Sequence, residues 1–181
     1  PTLAWSSAAS DVYKRQESCQ INIDASGTVV ARIHTTSSGQ GHETLVSTVI
    51  GEILGIDPDS IRVVRPNSLE SLPGNSPVGS RMAIMLGGAA ARAAEKLKAK
   101  IIAIATHQLQ CDAASIHYQG GNMLSADGRQ ISWDDIIELA HRQIHELPDG
   151  MDPGLASFDI MQVPTGGDLP KDGKVHMYPC Y

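Results

Sequence analysis

Aromatic side chains are scarce in this chain. Only 4% of its 181 residues are Phe, Trp or Tyr, and Phe158 is the sole phenylalanine. A self-contained domain of that length ordinarily buries more aromatic area, so the expectation is an incomplete domain. Positive charge is short too: 14 Lys and Arg stand against 20 Asp and Glu, for a net charge of −6, with no basic stripe. Nucleic acid and an acidic membrane surface are therefore not expected partners. No apolar run is long enough to span a bilayer. Cys19, Cys111 and Cys180 lie far apart, form no CxxC pair and leave an odd number, which fits a reduced, cytoplasmic setting. The phosphate-loop pattern ending in Gly-Lys-Ser/Thr is absent, and so is GxSxG, so Ser76 and Ser80 carry no nucleophile reading.

What is present begins after a blank stretch. Residues 1–16 show neither hydrophobic period nor the apolar core of a signal peptide, and Ser7 to Gln16 resemble translated read-end sequence, so they are set aside as a non-native or disordered leader. Ile21 and Ile23, a turn at Asp24-Ala25-Ser26-Gly27, and the alternating Val29, Ala31 and Ile33 predict a hairpin whose second strand runs from Thr28 to Thr36. Leu45, Val46, Val49, Ile50, Ile53 and Leu54 form one stripe of a helix that Gly55 stops. Between strand and helix lies Ser38-Gly39-Gln40-Gly41-His42-Glu43-Thr44, on which the chain is organised. Gly39 and Gly41 allow a left-handed backbone and close approach of a ligand, and the helix that follows offers unpaired N–H groups and a positive dipole end.

Further on, Asp57-Pro58-Asp59-Ser60 reads as a turn and Ile61 to Val64 as a short strand. A Pro-, Ser-, Asn- and Gly-rich loop, Pro66 to Ser80, runs into a long helix from about Arg81 to Leu109. Its predicted buried face is Ile84, Gly87, Gly88, Ala91, Ala94, Leu97, Ile101 and Ala105. Gly87 and Gly88 weaken a helix, so they point to close approach of another backbone or a cofactor. A small meander follows around Ile116 to Ile131. Ser132 and Asp135 then make an acidic capping box for a helix carrying Ile136, Ile137, Ala140 and Ile144 and ended by Pro148. Residues 149–181 read as an extended crossing segment. His141 and His145 stand at i, i+4, but Arg142 occupies the place where a zinc-protease helix needs glutamate, so a solvated pair is expected and no metal site.

Three readings of the first loop stay open: an anion cradle, a dinucleotide fingerprint and a plain turn. Against the fingerprint stand Thr44 at the third glycine position and the preceding antiparallel hairpin. What favours the cradle is a second helix entrance at Gly79, Ser80 and Arg81, where Arg81 adds a cation and a planar fork suited to phosphate. Two helix N-termini converging on one polyanionic ligand describe a large cofactor held by backbone donors.

The order Gly39-Gln40-Gly41-His42-Glu43-Thr44, then Glu52-Ile53-Leu54-Gly55-Ile56, then Pro73, Gly79-Ser80-Arg81, Gly88-Ala89-Ala90 and the Lys/Ala run to Lys100 resembles the molybdopterin-binding subunit of the xanthine dehydrogenase and aldehyde oxidase family. The large subunit of aerobic carbon monoxide dehydrogenases is the nearest likeness, and the match runs from about Glu17 to Tyr181. The resemblance implies a molybdenum–pterin cofactor, in bacterial members commonly molybdopterin cytosine dinucleotide, held by Gly39, Gln40, Gly41, His42, Gly79, Ser80 and Arg81. It also implies oxidation of a small substrate with water as oxygen source, and electron transfer to iron–sulfur and FAD subunits or domains in a hetero-oligomer. The family's basic glutamate has no counterpart here, so no catalytic residue is named and the chain alone is expected to be inactive.

Two departures from the family pattern stand out. Pro66-Asn67-Ser68 replaces Gly-Asp-Thr, and Met82-Ala83 replaces small hydroxyl residues. A non-catalytic paralogue or assembly module of the same fold, and a nucleotide-binding module, therefore remain alternatives. The expected fold is α+β: hairpin, helix, short strand, long helix, small meander and capped helix. It forms a partial cofactor-binding domain over 17–148, flanked by 1–16 and 149–181.

Overall fold

The computed structural model describes residues 16–65, 67, 69–75, 77, 81–119 and 121–162. Its first strand, β1 (Gln16–Ile23), alternates so that Glu17, Cys19, Ile21 and Ile23 face inward, and all four are buried. The Asp24 carboxylate then closes the turn by accepting from Ser26 N at 2.8 Å and Thr28 N at 3.1 Å, which holds it below the usual carboxylate range. The chain returns as β2 (Val29–Ile33), antiparallel to β1 with Ile23 opposite Val29 and Cys19 opposite Ile33. The predicted hairpin is present.

After β2 come α1 (His42–Leu54) and a short strand, β3 (Arg62–Val64), which pairs with β2 in parallel, Val30 opposite Arg62. The first loop thus follows a hairpin and also opens a parallel strand–helix–strand unit. The sequence reading set these two arrangements against each other, because a parallel partner some thirty residues away leaves no local signal. The four-stranded sheet runs β3–β2–β1–β7, where β7 is Leu155–Gln162, antiparallel to β1 along all eight of its residues.

The long helix, α2 (Met82–Leu109), packs across β1 and β7 on one side and α1 on the other. Being covered on two sides, it buries a wide stripe that includes Met82, Met85, Leu86, Ala89, Ala90, Ala93, Leu97, Ile101 and Ile104. Ile84, expected inside, is exposed, and Ala91 and Gly88 are half-buried. The N-terminal half of the predicted face is therefore turned, since a run of alanines gives the period of a helix without its phase. Gly88 does mark close approach, but of a side chain: Met161 of β7 lies 3.3 Å from where a Gly88 Cβ would stand, whereas Leu45 of α1 lies at an ordinary contact distance of 3.8 Å from that of Gly87. Lys96 fastens the same helix to β7 through Asp159 at 2.6 Å.

The meander forms as β4 (Ile116–Gln119), β5 (Asn122–Ser125) and β6 (Gln130–Ile131). The capping box forms as well. Ser132 Oγ accepts from Asp135 N at 3.2 Å, and the Asp135 carboxylate accepts from Ser132 N at 3.0 Å at the head of α3 (Trp133–His141). This helix ends at His141, earlier than expected. Ile144 lies in a separate 3-10 turn and is exposed, so His141 and His145 share no helical face. His141 Nε2 instead donates to Ile23 O at 2.9 Å.

Two expected outcomes follow from this packing. A Cβ at Gly51 would stand 2.8 Å from Pro58 Cγ and 2.9 Å from the Ile56 carbonyl oxygen. Gly51→Ala should therefore lower stability by about 1–3 kcal/mol through overpacking, despite better helix propensity, and a raised melting temperature would contradict it. Cys19 is buried, and burial pushes its thiol up to about 12, whereas Cys111 is half-buried. At pH 8 an alkylating reagent followed by peptide mapping should label Cys111 in the native protein and Cys19 only after denaturation.

Candidate functional site

The first loop leaves the end of β2 and turns into α1 with Gly39 at φ 93° and Gly41, the helix N-cap, at φ 70°. Non-glycine residues adopt such angles rarely. A Cβ added at either glycine would meet nothing within 4 Å among the described residues, which leave the surface above them open. Ser37 and Gln40 set the shape of the turn: Ser37 Oγ accepts from Gly41 N at 3.1 Å, and Gln40 Oε1 accepts from Ser38 N. With its oxygen so engaged, Gln40 presents its amide NH₂ outward, and that group has no partner among the described residues. No side chain caps α1, which leaves the first-turn N–H groups of His42, Glu43 and Thr44 available at a positive dipole end.

His42 differs from its neighbours. Gly39, Gln40 and Gly41 are exposed, while His42 is only 3% exposed and its Nδ1 is buried without a hydrogen-bond partner among the described residues. Glu43 pairs with Arg65, just beyond β3, which ties the head of α1 to the sheet. The open cradle, the uncapped donors and the orphaned His42 nitrogen together suit an anionic group brought close to the main chain.

The second entrance is built differently. Gly79 and Ser80 lie outside the described residues. Arg81 is the N-cap of α2, and its guanidinium is not turned to solvent: it is 1% exposed and its Nη2 donates to Glu17 Oε1 of β1. The same oxygen accepts from Asn75 N at 3.1 Å. Burial pushes the Glu17 carboxyl above the usual carboxylate range, and the Asn75 N–H and Arg81 pull against that shift. Beside this pair Ser18 Oγ donates to the Pro73 carbonyl and His34 Nδ1 to the Leu72 carbonyl. Gly74 presses so closely on His34 that a Cβ there would stand 2.4 Å from the ring.

Sequence reasoning missed Glu17, although a signal existed: it is the one charged residue in phase with buried Cys19, Ile21 and Ile23. The departures find structural places as well. Asn67 Oδ1 accepts from Leu69 N at 2.8 Å and Glu70 N at 2.9 Å, Met82 is a core residue, and Pro66 and Ser68 lie outside the described residues.

The two helix heads lie on the same side of the fold. Leu45, in the first turn of α1, packs on Gly87, in the second turn of α2, so each helix begins within about two turns of that contact. A groove of about 680 Å³ lies at the other end of α2, lined by residues including His107, Cys111, Asp112 and Glu146. At 28 residues α2 separates it from the cradle by about 40 Å, and no three metal-ligating side chains come together among the described residues. No helix among the described residues is long and apolar enough to cross a membrane.

The chain is 32% identical over 149 residues to the carbon monoxide dehydrogenase large chain of Afipia carboxidovorans, covering 82% of this chain and 18% of that protein. It is 30% identical over 149 residues to the nicotine 6-hydroxylase large subunit of Paenarthrobacter nicotinovorans, covering 81% and 18%. Among solved structures, the reconstituted CO dehydrogenase from Oligotropha carboxidovorans is similar with a TM-score of 0.74 at 29% identity, over 82% of this chain and 18% of that one. The chain thus spans less than a fifth of the length of these relatives. Residues 2–174 match the family described as the molybdopterin cofactor-binding domain, and the chain belongs to that family.

Proposed function

We propose that the chain is the cofactor-binding part of a molybdenum hydroxylase that oxidises a small substrate with water as the oxygen source. In this reading it works in the cytoplasm within a hetero-oligomer that carries iron–sulfur and FAD subunits or domains. The cofactor is the molybdopterin form with a cytosine dinucleotide. Gly39, Gln40, Gly41 and His42 from the first entrance hold it, with Gly79, Ser80 and Arg81 from the second. When bound, it supplies the two-electron oxidation chemistry that no side chain here can provide.

The chain's own residues bind and orient. Backbone N–H groups at the head of α1 neutralise anionic charge without adding a mobile cation, and the Gln40 amide, fixed through its oxygen, gives a directed donor. Buried His42 keeps one ring nitrogen without a hydrogen-bond partner among the described residues. The observation that carries the reading is the left-handed cradle at Gly39 and Gly41, open among the described residues, in a chain that matches the molybdopterin cofactor-binding domain family.

A non-catalytic paralogue is the second reading. It draws on Asn67, whose side chain is spent inside its own loop, and on Met82, which is buried in the core where the family pattern has a small hydroxyl residue.

The test is Gly41→Val in the complete subunit. It fills the open cradle and strains a residue at φ 70°, so molybdenum and pterin content per folded protein should fall below about a tenth of wild type. Full cofactor content in a folded Gly41→Val protein would overturn the cradle. A wild-type subunit that holds no molybdenum would favour the paralogue.

A further inference from the structure

Both flanks of the second loop end on one atom. Glu17 Oε1 accepts from Asn75 N, on the near side of residues 76–80, and from the Arg81 guanidinium, on the far side. We infer that Glu17 and Arg81 are positioning residues: the buried carboxylate staples the main chain at Asn75 to the head of α2, and Arg81 serves the cofactor through that staple and its main chain, not by gripping an anion with its guanidinium. The inference rests on the cofactor reading proposed above.

Three observations carry it. Arg81 is 1% exposed and Glu17 0%, so the guanidinium faces β1 and not an open ligand surface. A carboxylate on the guanidinium already satisfies its charge, and an anion brought to the same group would face the Glu17 charge at close range in a site of low dielectric. Neighbouring residues repeat the arrangement: Ser18 of β1 holds the Pro73 carbonyl, His34 just beyond β2 holds the Leu72 carbonyl, and Gly74 packs closely against His34. These contacts therefore hold the backbone at residues 72, 73 and 75, and Glu17 holds Arg81 at the head of α2. An ion pair used this way contributes little net stability, because desolvation offsets most of the attraction, and its main effect is on geometry.

The two roles for Arg81 predict opposite signs for Glu17→Gln. If the guanidinium gripped an anion, removing the competing carboxylate would free it and cofactor retention would rise. If the pair is a staple, retention falls. The experiment compares wild-type and Glu17→Gln complete subunit. Molybdenum and pterin retention is followed in folded protein well below the melting temperature, and subtilisin cleavage between residues 69 and 81 is mapped in the cofactor-free form. The expected result is retention lower by about tenfold, with cleavage in that segment faster by a similar factor.

Unchanged or raised retention overturns the inference. So does faster cleavage without loss of retention, which would reduce the pair to a structural role. Should Glu17→Gln fail to fold, the double variant Glu17→Met with Arg81→Met removes both charges, and the same paired loss is expected. Loss of retention in the double variant with unchanged cleavage would return the guanidinium to direct contact and overturn the staple. Gly41→Val separates the two levels: full retention there defeats the cofactor reading itself, whereas loss there with full retention in Glu17→Gln defeats only this inference.

Discussion

A buried charge pair between the first strand and the head of the longest helix sets the arrangement on which the rest depends. Glu17 and Arg81 are sixty-four residues apart in sequence and almost wholly out of water. As a device for stability alone the pair is poor, since an apolar pair of similar volume would serve as well. What it adds is direction. A carboxylate oxygen shared by a guanidinium and a backbone N–H permits few geometries, so the start of β1, the main chain at Asn75 and the head of α2 are located together. The Leu45–Gly87 contact then brings the head of α1 alongside, and the two entrances lie on one side of the fold.

The cradle itself follows from a different constraint. A strand that ends where a helix begins in a parallel strand–helix–strand unit puts its connecting loop at the strand's carboxyl end, where open α/β sheets usually bind ligands. Here β2 belongs both to a hairpin and to such a unit. The loop gains rigidity from the hairpin and a free helix dipole from the crossover. Gly39 and Gly41 keep its upper surface open, and Ser37 and Gln40 spend their oxygens on the loop's own N–H groups. The result is a set of uncapped main-chain donors at an exposed helix head, with the Glu43 carboxylate drawn to Arg65, which is chemistry suited to an anionic cofactor.

Local signals were legible in the sequence and distant ones were not. The Asp24 turn and the Ser132–Asp135 box are made by residues within four positions of each other, and both form as expected. The extent of α2 was readable from its period, but the alanines from Ala89 to Ala94 carry no phase, so its inner face was turned. β7 escaped because both its faces are only partly covered and Leu155–Gln162 shows no clean alternation; its eight-residue pairing with β1 is decided by tertiary contact. In the candidate site, the glycine geometry followed from residue type alone. The partner of Arg81 did not, because an arginine before a helix looks the same whether it faces an anion or a buried glutamate. Only the placement of Glu17 in the buried register of β1 hinted at the second case.

The central claim is that main-chain donors at the head of α1 hold the anionic part of the cofactor. A structure of the complete, cofactor-loaded subunit tests it most directly. The account predicts an anionic oxygen of the cofactor within hydrogen-bond distance, about 2.7–3.2 Å, of the backbone N–H groups of residues 42–44, with Glu17 still on Arg81. A cofactor bound elsewhere, with the Gly39–Gly41 surface covered by protein, would contradict it.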